Sequence, residues 1–215
     1  MTTEAAEIAV RSDGPVAWVT IDRPEKRNAL SNRMLARIGE ALDRLAADRS
    51  NRVVVFIGSG DKFFSSGFDI GEIASLPEGG GRAELAPNLV EETMIGVAEF
   101  PKPTIACLNG SAFGTGCELA TACDLRVAAA GIEMAMPPAR VGVLYSAAGI
   151  ERFIRLAGPA VAKEMFFTAR RLGSDRLLAI GLLNQVVARE ELAGAVGALA
   201  SEVAASAPNV VRATK

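Results

Sequence analysis

The chain has 215 residues, of which 50% are hydrophobic, and a formal net charge of −2 at pH 7. This length and apolar content are sufficient for one domain with a substantial buried core. The nearly balanced charge offers no basic surface for nucleic acid, and no apolar run reaches the ~20 residues that cross a bilayer. We therefore expect a cytoplasmic protein with no nucleic-acid partner and no membrane partner.

The sequence contains no histidine and three cysteines. The absence of histidine excludes Ser-His-Asp and Cys-His nucleophilic catalysis, and it excludes most zinc chemistry. Cys107, Cys117 and Cys123 form no C-x-x-C pair, so we predict buried thiols and no metal site. Acid–base chemistry in this chain must therefore use carboxylates, tyrosine, lysine, cysteine or water.

Strands and helices are predicted in alternation along the chain. Apolar or β-branched runs predict strands at 16–22, 52–58, 104–110, 124–130 and 183–187. Helical periodicity predicts helices at 31–49, 89–99 and 190–207, the first with Ser31 as its N-cap. Ser174 is predicted to cap a further helix that ends at Gly181, and the Gly- and Pro-rich residues 77–88 predict a mobile loop.

Two segments share a plan in which a β-rich run is followed by a small-residue loop and a helix. This plan fits either a repeated strand–strand–helix unit or ordinary α/β alternation. One loop, FGTGCELATACDL at 113–125, leads through Gly114, Thr115 and Gly116 into a helix with Glu118 in its first turn. The other, FFSSGFDI at 63–70, is a second glycine-containing turn after a buried strand.

The first N–H groups of a helix are unpaired, and small residues allow a ligand to approach them closely. Such donors bind a phosphate or stabilise a developing oxyanion. The alternative is that Gly114 and Gly116 only allow the helix and strand to pack. Glu118 likewise has two interpretations, since it either complements the helix dipole or acts as an acid–base group.

Together these segments resemble the enoyl-CoA hydratase/isomerase (crotonase) superfamily. DRPEKRNALS, FSSGFDI, PKPTIACLNGSAFGTGCELATACDLRVAA and MPPARVGV occur in the family's order and spacing. The resemblance implies an α/β fold, a spiral of strand–strand–helix repeats flanked by helices. It implies one acyl-CoA-binding domain over residues 1–215, with the family's C-terminal helical tail short or missing. It also implies a homotrimer or dimer of trimers, and an acyl-CoA substrate with no cofactor beyond the coenzyme A that the substrate carries.

In this family two backbone N–H groups hold the enolate oxygen, and the motifs assign them to Phe68 and Thr115. The family usually has a small residue or histidine in place of Phe68 and glycine in place of Thr115. The resemblance assigns substrate binding to residues around these motifs: Lys26, Arg27, Ala29, Ser66, Gly67, Asp69, Ile70, Gly71, Gly114 and Pro138. The alternative for Lys26 and Arg27 is that they are ordinary solvated charges.

The resemblance also assigns the catalytic residues. Glu118 matches the first of the two catalytic glutamates of the hydratases, whereas Pro138 stands at the position of the second. The stretch PPARVGVLYS is similar to the methylmalonyl-CoA decarboxylase branch, which has Pro at that point and Tyr at the position of Tyr145. That branch has His at the position of Phe68 and Thr at the position of Pro137.

These matches predict Glu118 as the general acid/base. Tyr145 either orients a carboxylate or delivers a proton, or else it is a half-buried core aromatic. With one glutamate, isomerase- or decarboxylase-type chemistry is favoured over water addition, which is paired acid–base work. The alternatives are a 2-enoyl-CoA hydratase that uses Glu118 alone and a non-catalytic CoA-binding or scaffold protein.

Overall fold

The computed structural model describes residues 7–73 and 89–215, so the loop predicted at 77–88 lies outside the described residues. The strands are β1 (Ile8–Asp13), β2 (Val16–Ile21), β3 (Val53–Gly58), β4 (Phe63–Ser65), β5 (Thr104–Leu108), β6 (Ser111–Phe113), β7 (Leu125–Ala129), β8 (Glu133–Ala135), β9 (Leu172–Gly173) and β10 (Gln185–Val187). The helices are α1 (Asn32–Ala47), α2 (Ile70–Ile73), α3 (Leu89–Ala98), α4 (Thr115–Ala122), α5 (Pro138–Val141), α6 (Ala147–Thr168), α7 (Ser174–Ala179), α8 (Leu192–Ala205) and α9 (Pro208–Thr214). Single turns of 3₁₀-helix lie at Pro24–Lys26 and Arg189–Glu191.

The strands form two sheets, and the chain passes repeatedly from one sheet to the other. The larger sheet has the order β1-β2-β3-β5-β7-β10 and the smaller has the order β4-β6-β8-β9. Only the β1–β2 and β8–β9 pairs are antiparallel among the described strands. Each of the pairs β3–β4, β5–β6 and β7–β8 places its first strand in the larger sheet and its second in the smaller, and helices follow. This arrangement confirms the predicted spiral of strand–strand–helix repeats.

The core lies where the larger sheet is covered by helices. Every residue of β5 is buried, as expected for a parallel strand covered on both faces. Helix α1 buries its apolar residues at helical spacing, and the Ser31 side chain caps it by accepting a hydrogen bond from the Met34 N–H. The three cysteines are free and buried, as predicted. None of the helices in the described residues is long and apolar enough to cross a membrane.

Several local predictions differ from the structure. Ser174 does not cap α7: Gly173 occupies that position, and the Ser174 hydroxyl accepts a hydrogen bond from the Gly131 N–H at 3.1 Å. The prediction for Gly181 is confirmed, because it follows the C-cap Ile180 with φ +78°, a left-handed conformation that glycine adopts without strain. The helix predicted at 190–207 ends at Ala205, and α9 begins separately at Pro208, a residue that suits the first turn of a helix.

Candidate active site

The N-terminus of α4 follows β6 directly and lies against the smaller sheet. Gly114 precedes the helix with φ +51°, and its N–H donates to the Ala135 carbonyl at 3.0 Å. A Cβ atom at Gly116 would lie 2.5 Å from the Ser65 carbonyl oxygen, so the helix rests directly on the end of β4. Thr115 is the first helical residue, and among the described residues its N–H donates no backbone hydrogen bond. This leaves a buried donor at the helix start.

A second unpaired donor lies in the turn that follows β4. Gly67 has φ +111°, and its carbonyl accepts from the Leu30 N–H at 2.8 Å. The Asp69 N–H donates to the Leu30 carbonyl at 2.9 Å, which completes an isolated parallel bridge between Leu30 and Phe68. In such a bridge the N–H of the central residue points away from the partner strand. Within residues 7–73 and 89–215, the Phe68 N–H donates to no acceptor.

The two turns touch each other. A Cβ atom at Gly67 would lie 3.7 Å from the Thr115 amide nitrogen and 2.9 Å from the Phe113 carbonyl oxygen. From the opposite side, a Cβ atom at Gly114 would lie 3.9 Å from the Gly67 Cα. The glycines therefore allow a close backbone approach, which brings Thr115 and the Phe68 turn side by side.

Glu118 lies one turn into α4, and its side chain is only 3% exposed. Its Oε1 accepts a hydrogen bond from Arg152 Nη2 on α6 at 2.9 Å. Burial raises the pKa of Glu118 from 4.5 to about 7; the Arg152 guanidinium opposes this shift, and the charge of Glu91 adds to it. A carboxyl group with this pKa is suited to accept and return a proton near neutral pH. Glu118 therefore does more than complement the helix dipole, because its carboxylate also pairs with Arg152.

Tyr145 is a half-buried aromatic whose hydroxyl reaches the start of α4. Its ring packs edge-on against Phe166 at 5.6 Å between centroids, as a core aromatic does. Its hydroxyl lies 3.5 Å from where a Cβ of Gly114 would stand, beside the Thr115 side chain. Burial, together with the nearby Glu118 charge, raises the pKa of the Tyr145 phenol, so the hydroxyl keeps its proton.

The loop that precedes α1 is joined to the turn after β4. The Arg27 carbonyl accepts from the Ser66 N–H at 3.0 Å, and the Arg27 guanidinium lies 5.8 Å from the centroid of the Phe63 ring. Ala29 is buried behind this contact, whereas Lys26 is exposed to solvent. The structure therefore places the predicted binding residues of the two segments side by side, with Lys26 at the outer edge.

The Asp69 carboxylate is hydrogen-bonded both within its own turn and to Arg23 in the loop before α1. Its carboxylate accepts from the Gly71 N–H at 3.0 Å and from Arg23 Nη1 at 2.8 Å. Both contacts hold the pKa of Asp69 below its ordinary value, and the hydrogen bond from the Gly71 N–H has the larger effect. Ile70 and Gly71 begin α2 directly after it. Asp69 thus holds the turn after β4 against the loop before α1.

Pro137 borders the start of α4. A Cβ atom at Gly114 would lie 4.0 Å from Pro137 Cδ, and Pro138 follows as the buried first residue of α5. A proline offers neither a carboxylate nor a backbone N–H. Glu118 is therefore not matched by a second carboxylate at position 138.

Two residues of the site were missed from the sequence. Arg152 and Gly149 both contact the Glu118 carboxylate from α6. Arg152 stands in the stretch GIERFIR beside Glu151 and Arg155, which form an exposed ion pair of the usual i,i+4 kind. No feature of spacing or composition separates the half-buried Arg152 from the exposed Arg155.

Comparison with known proteins identifies the family of this chain. Residues 11–215 match the family described as Enoyl-CoA hydratase/isomerase. The chain belongs to this family. It is 39% identical over 204 residues to Enoyl-CoA hydratase domain-containing protein 2, mitochondrial, of Bos taurus, covering 93% of this chain and 68% of that protein. It is 32% identical over 221 residues to the Short-chain-enoyl-CoA hydratase of Clostridium acetobutylicum, covering 99% of this chain and 80% of that protein.

A solved structure extends the likeness to another branch of the enoyl-CoA hydratase/isomerase family. Methylmalonyl-CoA decarboxylase in complex with 2-nitronate-propionyl-CoA superposes with a TM-score of 0.89 at 33% identity. The match covers 96% of this chain and 78% of the decarboxylase chain. Family members of both kinds, hydratase and decarboxylase, therefore share this fold.

Proposed function

We propose that this family member is an enzyme that acts on a short acyl-CoA thioester through an enolate. The proposal rests on one observation. The unpaired N–H groups of Phe68 and Thr115 belong to two turns that lie side by side, near a buried glutamate. The names of the relatives support the substrate class, since they include enoyl-CoA and methylmalonyl-CoA enzymes. The half-buried Phe68 ring reduces the space for the acyl group, which favours a short chain.

In the proposed reaction the thioester oxygen accepts hydrogen bonds from the Phe68 and Thr115 N–H groups. Negative charge that develops on this oxygen is stabilised by donors that are already in place. For isomerisation, Glu118 removes the α-proton and returns it to the γ-carbon as the double bond moves. For decarboxylation, the bond to the departing CO₂ supplies the electron pair of the enolate, and Glu118 protonates the α-carbon. Both reactions need one proton-transfer group.

Isomerase- or decarboxylase-type chemistry is the first choice because Pro138 replaces the second carboxylate. We infer that the Tyr145 hydroxyl, which keeps its proton, donates a hydrogen bond to a substrate carboxylate. Hydration by Glu118 alone is the second candidate, and the enoyl-CoA hydratases among the relatives favour it. A CoA-binding or scaffold protein without catalysis is the third, and the bulky Phe68 favours it.

A panel of acyl-CoA thioesters, followed by mass spectrometry, distinguishes these candidates. We expect turnover of a short β,γ-unsaturated or malonyl-type CoA, slower in Tyr145→Phe, and only slow hydration of crotonyl-CoA. Tyr145→Phe is a matched change because it keeps the ring that packs on Phe166. Efficient crotonyl-CoA hydration that is indifferent to Tyr145→Phe would favour the hydratase. Binding without turnover would favour the scaffold, and calorimetry that detects no binding would reject the acyl-CoA proposal itself.

We further propose a homotrimer or a dimer of trimers in the cytoplasm, with no cofactor beyond the coenzyme A of the substrate. Exposed apolar side chains near α5, α6 and α9 support the self-association. Leu144 is 78% exposed, Phe167 is 73% exposed and Val210 is 65% exposed. Burial of such side chains between subunits would remove apolar surface from water.

A further inference from the structure

The buried arginine Arg126 shows what a purely structural guanidinium does in this fold. Its Nε donates to the Leu182 carbonyl at 2.8 Å, and its Nη1 donates to the Cys123 carbonyl at 2.7 Å. Its Nη2 adds a longer bond to the Asp124 carbonyl at 3.3 Å. The donors of Arg126 thus end on backbone oxygens and join separate segments of the chain.

Arg152 uses its donors differently. Within the described residues its one hydrogen bond is the bond from Nη2 to Glu118 Oε1 at 2.9 Å. Its Nε is buried, and residues 7–73 and 89–215 offer it no hydrogen-bond partner. A buried unpaired donor is unfavourable, so packing alone does not account for a guanidinium here. The charged group of Arg152 therefore makes its hydrogen bond with the Glu118 carboxylate.

The surroundings of Glu118 contain one cation among the residues that the structure describes. Arg152 approaches from α6, Glu91 acts from α3, and the Tyr145 hydroxyl lies in the segment before α6. Cys117, on α4 itself, holds its proton because burial raises the pKa of its thiol. Strands β4 and β6, which also pack on α4, contain only Phe, Ser and Ala. Among the residues that the structure describes, Arg152 is therefore the one cation that stabilises the ionised form of Glu118.

The backbone of α6 adds a steric constraint on the same carboxylate. A Cβ atom at Gly149 would lie 2.6 Å from Glu118 Oε1, closer than atoms approach without a shift. Gly149 and Arg152 are three residues apart, so they lie on the same face of α6. The carboxylate oxygen thus occupies a gap left by the missing side chain of Gly149 and points at the guanidinium.

We propose that Arg152 is a positioning residue that, with the gap at Gly149, holds the Glu118 carboxylate in one orientation and stabilises its ionised form. The inference deepens the proposed function and rests on it, because Glu118 is the group that moves the proton there. Arg152 acts through Glu118 and needs no contact with the substrate.

The first test measures the titration of Glu118 directly, without any substrate. Protein labelled with ¹³C at the glutamate carboxyl is titrated by NMR, and the Glu118 resonance is identified by its absence in Glu118→Gln. Loss of an opposite charge at this distance raises a carboxyl pKa by about 1–3 units. We expect a shift of this size in Arg152→Met, upward from the wild-type value of about 7.

The second variant moves the carboxylate and keeps the arginine. Gly149→Ala should fold normally, since alanine favours a helix, but its methyl group must displace Glu118 Oε1 from its position against Arg152. We expect a raised pKa of Glu118 and a kcat lower by on the order of 10²-fold, the cost of a displacement of about 1 Å. Gly194→Ala on α8, where a Cβ meets nothing within 4 Å, is the matched control.

An unshifted pKa of Glu118 in folded Arg152→Met would overturn the inference. If that variant does not fold, the same titration of Gly149→Ala decides, and an unshifted value there would overturn it equally. Failure of the proposed function has a different signature. Wild-type protein that turns over no acyl-CoA would reject the proposed function, while the titration would still show whether Arg152 controls Glu118.

Discussion

Replacement of Glu118 by glutamine is expected to lower acyl-CoA turnover by about 10²–10⁴-fold, the usual contribution of a general acid/base. Glutamine keeps an oxygen that accepts the hydrogen bond from Arg152 Nη2, so the buried contact at 2.9 Å is retained. What is lost is the group with a pKa of about 7 that accepts and returns the proton. Steady-state kinetics on the best substrate of the panel, with thermal unfolding to verify the fold, measures this loss.

Glu151→Gln is the matched control for this variant. Glu151 also pairs with an arginine of α6, since Arg155 Nη2 lies 2.7 Å from its Oε1, but both side chains are exposed. An exposed pair contributes little to stability, so both the fold and the turnover of Glu151→Gln should remain near wild type. If Glu118→Gln retained wild-type turnover, Glu118 would have no role in proton transfer.

Replacement of Thr115 by proline is expected to lower turnover by about 10²–10³-fold, the cost of losing one oxyanion donor in a well-studied protease. Proline removes the N–H, and the first position of a helix is where proline is best tolerated. Thr115 occupies this position in α4, so the helix should persist. The expected signature is a fall in kcat larger than the change in KM, because the donor acts mainly on charge in the transition state.

Thr115→Ala separates the backbone donor from the side chain. Alanine keeps the N–H and removes the γ-methyl group and the hydroxyl, the latter lying beside Tyr145. We expect Thr115→Ala to retain most of the turnover that Thr115→Pro loses. Equal losses in the two variants would assign the effect to the Thr115 side chain and would contradict the role of the backbone N–H.

The long elements of this fold are visible in the sequence because their periodicity reflects burial. Helix α1 and the central strands β3 and β5 bury a regular set of apolar residues. Strand β1 was missed because five of its six residues are exposed, which leaves no apolar pattern. The three-residue strands β4, β6 and β8 were missed as strands because they are stabilised by pairing with distant parts of the chain.

The parts of the candidate site that depend on local backbone could be predicted from the sequence. The parts that depend on packing between helices distant in the chain could not. The glycines before α4 and the early position of Glu118 indicated a buried acid beside free N–H groups. The partner of Glu118 was not predictable, since Arg152 lies 34 residues further along the chain. The same holds for Gly149, whose missing side chain matters only because α6 passes against the carboxylate.

The most direct test of the enolate proposal is exchange of α-protons in D₂O. Butyryl-CoA is saturated and offers no further reaction, so any deuterium at its α-carbon reports enolate formation. We expect the wild-type protein to catalyse this exchange, followed by mass spectrometry, and Glu118→Gln to catalyse it at least about 10²-fold more slowly. Bound butyryl-CoA that gains no deuterium, or equal exchange in the two proteins, would contradict enolate chemistry at Glu118.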